Sequence, residues 1–173
     1  LATDSWPIEI RRELPGCPLP VFTGSIVSEI LPEDRAFLHQ ARVGHLATAS
    51  ADGEPHVIPV CFVFDGTCLY SPIDTKPKRV AATRLRRLQN LRSNPRVSLV
   101  VDHYEEDWGR LRYVLITGRG DILEDGSERD RAHALLCEKY PQYRTMPGFG
   151  ENPLVRIVPE RVVTWRGARE HPA

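Results

Sequence analysis

Hydrophobic and polar positions alternate with period two over several short stretches of this chain and with period 3.6 over three others. The first helical stretch begins near Pro32, with Glu33 and Asp34 beside its N-terminus and Phe37, Leu38 and Ala41 as its apolar stripe. Val43 to Ala49 then reads as a strand, Ala51-Asp52-Gly53 as a turn, and His56 to Phe64 as the returning strand. Asp-Gly favours a hairpin because glycine accepts positive φ without steric cost. Asp65-Gly66 repeats the device, and Cys68 to Ser71 supplies a third strand, so the region reads as an antiparallel meander. Pro59 lies inside the second strand. Lacking an N–H, it predicts an edge strand or a bulge there.

After Pro77 the period changes. Ala81, Leu85, Leu88 and Leu91 share a helical face, with Arg84, Arg86 and Arg87 outside it, and Asn94-Pro95 ends the helix. Val97 to Val101 and Tyr113 to Gly120 read as apolar strands. Glu128 to Tyr140 reads as a helix burying Ala132, Leu135, Leu136 and Tyr140. Val155 to Trp165 is a last strand, with Pro159 near a bend. The sum is about six strands and three helices, a mainly β pattern that predicts an antiparallel β-barrel closed by short helices. Residues 1–30, broken by Pro7, Pro15, Pro18 and Pro20, read as an extended arm. The barrel domain is expected over 31–168, and 169–173 form a short tail.

Composition narrows the function classes. Of 173 residues, 23 are Lys or Arg and 23 are Asp or Glu, so the net charge is zero. That balance argues against a general nucleic-acid binder. No apolar run approaches the ~20 residues of a membrane span, and no secretory segment is visible, so a cytoplasmic protein is expected. Cys17, Cys61, Cys68 and Cys137 show no CxxC spacing. Cys61 and Cys68 flank a turn and are candidate cross-strand neighbours, but buried free thiols suit a reducing compartment better.

Against this neutral background one segment stands out. From Thr75 to Val101 there is no acidic residue, while Lys76, Lys78, Arg79, Arg84, Arg86, Arg87, Arg92 and Arg96 all fall there. The cluster starts in SPIDTKPKRV, where a strand ends at Ser71 and a helix is expected at Pro77. Helix N-termini expose unpaired N–H groups and bind phosphate. Thr75 adds a hydroxyl, and Lys76, Lys78 and Arg79 add full charges. A solvated basic face is the competing reading. Nucleic-acid binding would need stacking aromatics among the charges, and residues 76–96 contain none. His45 and His56 lie on one hairpin without further ligands at metal spacing, so no metal is expected. No serine has a nucleophile-elbow setting, and Gly118-Arg119-Gly120 is not a dinucleotide fingerprint. No catalytic side chain can be singled out.

The segments RVGHLATASADGEPHVIPVCFVFDGTCLYSPIDTKPKR and LRRLQNLRSNPRVSLVVDHYEEDWGRLRYVLITGRGDIL resemble the pyridoxamine-phosphate-oxidase-like split-barrel flavoproteins. Within that family they are most similar to the deazaflavin-associated branch. The resemblance covers about Leu31 to Arg166. It implies a six-stranded split-barrel homodimer with a cofactor in each of two intersubunit clefts. By position, His56, Val57, Ile58 and Pro59 would line the ring, with Tyr70 and Ser71 beside it. Thr75, Lys76, Lys78 and Arg79 would hold the phosphate, and Trp108 would reach the partner's cleft. The implied activity is hydride transfer between FMN or coenzyme F420 and a small organic substrate. A non-catalytic split barrel binding cofactor or haem is the alternative. This chain departs from the oxidases that act on pyridoxamine phosphate. His56 and Thr75-Lys76-Pro77 stand where those carry an Arg and a Ser-Arg-Lys trio, which argues against that substrate. The closer relatives are also expected to carry a tryptophan near Arg112 or Tyr113, and this chain has none there.

Overall fold

A computed structural model describes residues 30–73 and 85–167. Among them are the helices α1 (Pro32–Gln40), α2 (Arg86–Ser93) and α3 (Ser127–Lys139). The strands are β1 (Gly44–Ala49), β2 (Pro55–Val60), β3 (Val63–Phe64), β4 (Leu69–Pro72), β5 (Arg96–His103), β6 (Arg112–Leu123) and β7 (Leu154–Arg166). The expected arm and tail, and the expected start of the second helix at Pro77, lie outside the described residues. So do Thr75, Lys76, Lys78 and Arg79.

The seven strands form one antiparallel sheet in the order β2-β1-β5-β6-β7-β4-β3. The expected six become seven because the returning arm of the first hairpin is not one strand. It breaks at Cys61-Phe62. Before the break it pairs with β1, and after it with β4. The two edges of the sheet are therefore consecutive in sequence, and the sheet must curl to let one chain segment serve both. Phe62 loses its ladder partners at this corner. The Tyr140 hydroxyl replaces them: it accepts from Phe62 N–H at 3.1 Å and lies 2.9 Å from Phe62 O and 2.8 Å from Arg42 O. Of the edge or bulge expected at Pro59, the structure shows the edge: β2 is an edge strand.

Burial follows the pleat. In β5 exposure alternates, with Val97, Leu99 and Val101 buried. These inner residues meet Leu46, Val114, Ile116 and Ile157 inside the curl, where Leu88 and Leu91 of α2 and Leu38 of α1 close the core. Fully burying such a side chain stabilises the fold by ~1.5–3 kcal/mol. A second, smaller core lies on the outer face, where α3 sets Ala132 and Leu136 against Val63, Tyr70 and Leu154. There His133, outside the buried side expected from sequence, is buried too, while the expected Leu135 is half-buried against the same core. The His133 ring meets Phe149 edge-on at 4.9 Å, and Nε2 lies 2.9 Å from Asn152 O.

The expected bend at Pro159 is a bulge. Thr117 faces Arg161 and Gly118 faces Pro159, leaving Glu160 without an opposite residue. The bulge brings backbone against backbone: a Cβ at Gly118 would stand 2.1 Å from Val158 O. Only glycine permits that approach.

Candidate functional site at the edge of the sheet

The register of the first hairpin sorts the expected ring-lining residues into two sets. His56, Ile58 and Val60 stand opposite Thr48, Leu46 and Gly44, on the side of the inner core. Pro55, Val57 and Pro59 point to the other face and are exposed. Val57 is 61% exposed, a high value for an aliphatic strand residue. His56 is only half-buried as a residue, yet its Nδ1 is shielded from water and has no hydrogen-bond partner. A buried ring nitrogen without a partner costs about 1–3 kcal/mol, so this position calls for a donor or acceptor from elsewhere.

The β4 residues sit differently. Ser71 is 1% exposed and faces the inner core beside Val155, its partner on β7. Tyr70 is 2% exposed and lies beneath α3. Its hydroxyl is 3.0 Å from Asp65 Oδ2 and 2.9 Å from Glu128 Oε1, so one proton is shared between two carboxylates. Burial and those two carboxylates push the phenol pKa far up. Asp65 also accepts from the backbone N–H groups of Thr67 and Cys68. Burial alone would raise its pKa, but those N–H groups, Tyr70 and Arg131 together hold it below the usual carboxylate range. Burial and the nearby Asp65 charge raise the Cys68 thiol pKa. Cys61, Cys68 and Cys137 are free. The side chains of Tyr70 and Ser71 are thus engaged within the subunit, and the structure does not bring them to the exposed face that carries Val57.

Charge around β2 is mostly paired. Arg86, one of the helix cations, meets Glu54 in the hairpin turn. His45 lies 3.4 Å from Asp102, and Glu105 holds both His103 and Arg110. Trp108 opens a short 3₁₀ turn in the acidic loop after β5, where Asp107 accepts from Gly109 N–H, and its indole is 69% exposed. Among the described residues no three His, Cys, Asp or Glu come together to hold a metal, and no helix is long and apolar enough to cross a membrane.

Sequence reasoning missed two groups. Asn90, inside the arginine-rich helix, is 2% exposed and donates to Thr48 Oγ1 at 3.0 Å. Arg156 grips both oxygens of Asp121, its opposite residue on β6, and also reaches Glu128 at 2.9 Å. Opposite charges in facing strand positions could have signalled the second group, but only with the register in hand.

Comparison with known proteins supplies the remaining context. The family model for pyridoxamine 5'-phosphate oxidase matches residues 30–166. The 5a,11a-dehydrotetracycline/5a,11a-dehydrooxytetracycline reductase of Streptomyces rimosus is 32% identical over 133 residues, spanning 75% of this chain and 78% of that protein. Among solved structures, the conserved hypothetical protein Rv2991 from Mycobacterium tuberculosis superposes with a TM-score of 0.62 at 26% identity, covering 78% of this chain and 82% of that one. An F420 reductase shares the fold with a TM-score of 0.56 at 24% identity, over 74% of this chain and 94% of that one. The matched segment contains the whole curled sheet and the edge strand with Val57 and His56, and on that evidence the chain belongs to the pyridoxamine 5'-phosphate oxidase-like split-barrel family.

Proposed function

We propose that this protein is an oxidoreductase that binds FMN or the deazaflavin coenzyme F420 along β2 and transfers a hydride between it and a small organic substrate. The observation that carries this reading is the edge strand itself. Val57 and Pro59 present an exposed apolar ridge, and His56 Nδ1 is buried without a partner. A flat aromatic ring answers the exposed ridge of Val57 and Pro59, so the residues of that face fit such a cofactor, while His56 lies on the opposite face of the strand. The similarity to a reductase across most of both chains supports the redox class.

Hydride transfer is the chemistry that such a ring supplies when bound. This chain's own share is to bind, orient and exclude water. Val57 and Pro59 would cover one face of the ring, and the edge of β2 not paired with β1 would offer backbone groups to its rim. Thr75, Lys76, Lys78 and Arg79 are proposed to hold the phosphate on the sequence argument alone.

The working unit is proposed to be a homodimer. Inside the curl, α1 and α2 close the core, and α3 covers the outer face over β3, β4 and the adjoining ends of β6 and β7. Outward residues of β1, β5 and β6, including Ala47, Val100 and Leu115, remain half-exposed, and Tyr113 stacks on Trp165 at 5.8 Å on the same face. A second copy would bury this surface together with Val57 and Trp108.

Isothermal titration with FMN and with F420, paired with sedimentation analysis, tests the proposal. Saturable binding of one cofactor to a dimer is expected, and Val57→Glu should abolish it. A monomer at all concentrations, or wild-type affinity in Val57→Glu, would refute the cleft along β2. Binding without turnover of the reduced cofactor would leave a carrier rather than an enzyme.

A further inference from the structure

Away from β2, a hollow of about 640 Å³ opens between α1, β3 and α3. Its lining comprises His39 of α1, Val63 and Phe64 of β3, Asp65 beyond it, and Arg131, Leu135, Glu138 and Lys139 of α3. The α3 residues recur at helical spacing, so one face of that helix forms a wall. Volumes of this order suit a small organic ligand. None of these residues belongs to the proposed cofactor cleft.

One cation of the hollow, Lys139, has no anion beside it. Lys139 is half-buried, with its ammonium 4.2 Å above the Phe62 ring, and its polar partner is a carbonyl, Leu38 O, at 3.1 Å. Among the described residues no carboxylate lies within ion-pair distance of it. Arg42 stands close by, donating to Lys139 O at 2.8 Å, which adds positive charge behind the site. Both Asp65 oxygens are already engaged, by the turn N–H groups and by Tyr70. The lining thus holds two carboxylates, Asp65 and the exposed Glu138, against two cations, Arg131 and Lys139, but neither carboxylate is within ion-pair distance of the Lys139 ammonium. The floor is apolar: Val63 and Phe64 are buried and Leu135 is half-buried.

We propose that this hollow is a second binding site, for a small organic anion whose apolar body rests on Val63, Phe64 and Leu135 and whose acid group meets Lys139 and Arg131. A cation drawn into a low-dielectric hollow without a counter-charge is unfavourable, and an anionic ligand supplies that charge. Burial, with Arg42 assisting, lowers the Lys139 ammonium pKa to about 8. Anion affinity should therefore fall as pH rises through that value. The other titratable or charged groups around the ammonium are His39, Arg42, Cys61, Asp65, Arg131, Glu138 and Tyr140.

The test uses 2-naphthoate and its neutral counterpart 2-naphthamide, titrated into the full-length protein with and without saturating FMN. Naphthoate should bind saturably, naphthamide at least about tenfold more weakly, since only the acid brings a negative charge to the ammonium. Lys139→Met keeps the stem over Phe62 and should weaken naphthoate by a similar factor. Arg131→Gln lies on the exposed rim and tests the same point should the first variant not fold. Naphthoate should also protect Lys139 from reductive methylation mapped by mass spectrometry. Equal binding of the acid and the amide, displacement by FMN, or unchanged affinity in the folded variants would each overturn the proposal.

Discussion

Arg112 and Arg166 face each other across β6 and β7, and both donate to the same oxygen of Asp34, at 3.0 and 2.6 Å. Asp34 is 1% exposed, so one buried carboxylate at the start of α1 is shared by two strand guanidiniums, with Glu33 as the second anion on Arg166. Arg112 also reaches Glu33 O at 3.1 Å and stacks over Phe37 at 4.1 Å. The cluster fixes the angle at which α1 closes the open end of the curled sheet. Asp34→Asn would remove the anion the two arginines share, leaving Arg112 without a carboxylate and Arg166 with only the exposed Glu33. Breaking a buried pair in this way costs about 3–5 kcal/mol, to be read as a lowered urea midpoint. Glu33→Gln, at a solvent-exposed position bridging only to Arg166, should leave the midpoint nearly unchanged.

Tyr140→Phe tests the corner between β2 and β3. The variant keeps the aromatic body in the second core but leaves the Phe62 N–H and carbonyl without their partner. Each unpaired buried group costs about 1–3 kcal/mol, so a loss within or above that range is expected in chemical denaturation. Amide hydrogen exchange at Phe62 should accelerate more than at Leu99 in the middle of the sheet. Equal acceleration at both would show that the hydroxyl is not what holds the corner.

Lys139 gives the stability curve a definite slope. Its ammonium pKa is about 8 in the fold against the ordinary 10.5. Between those values the unfolded chain binds more protons at this position than the folded one, so this group's contribution to stability rises with pH. Below about pH 8 both states are protonated and the slope vanishes. Lys139→Met should therefore flatten the wild-type curve between pH 8 and 9.5, measured by urea unfolding at each pH. The window stops there because the Tyr140 phenol, with its pKa pushed up to about 12 by burial, acts in the opposite sense once unfolded tyrosine ionises. Parallel curves for the two proteins would contradict this account.

Local chemistry made much of the framework readable in advance. Asp52-Gly53 turns the first hairpin with Gly53 at φ 89°, and Asp65-Gly66 turns the second with Gly66 at φ 100°. The alternation of β5 and the spacing of Ala132, Leu136 and Tyr140 in and after α3 are properties of neighbouring residues and need no distant partner. That β2 is either an edge or bulged was legible for the same reason, since Pro59 cannot donate to a second neighbour, and the strand order makes it an edge. In the candidate site, that strand and its residues could be named from sequence, and the basic segment from Thr75 to Arg79 remains a sequence argument.

What the chain alone determined, then, are the turns, the periods and the barred hydrogen bond, because each depends on groups a few residues apart. Tertiary structure alone decided where the second arm divides, because Tyr140, 78 residues from Phe62, must arrive to satisfy the broken ladder. It also decided that Tyr70 is buried beneath α3 while Val57 stands exposed, and that Asp34 gathers arginines 78 and 132 residues away. Those outcomes rest on which surfaces meet and which buried charges must be balanced. Neither is defined until the sheet has curled and the helices have closed over it.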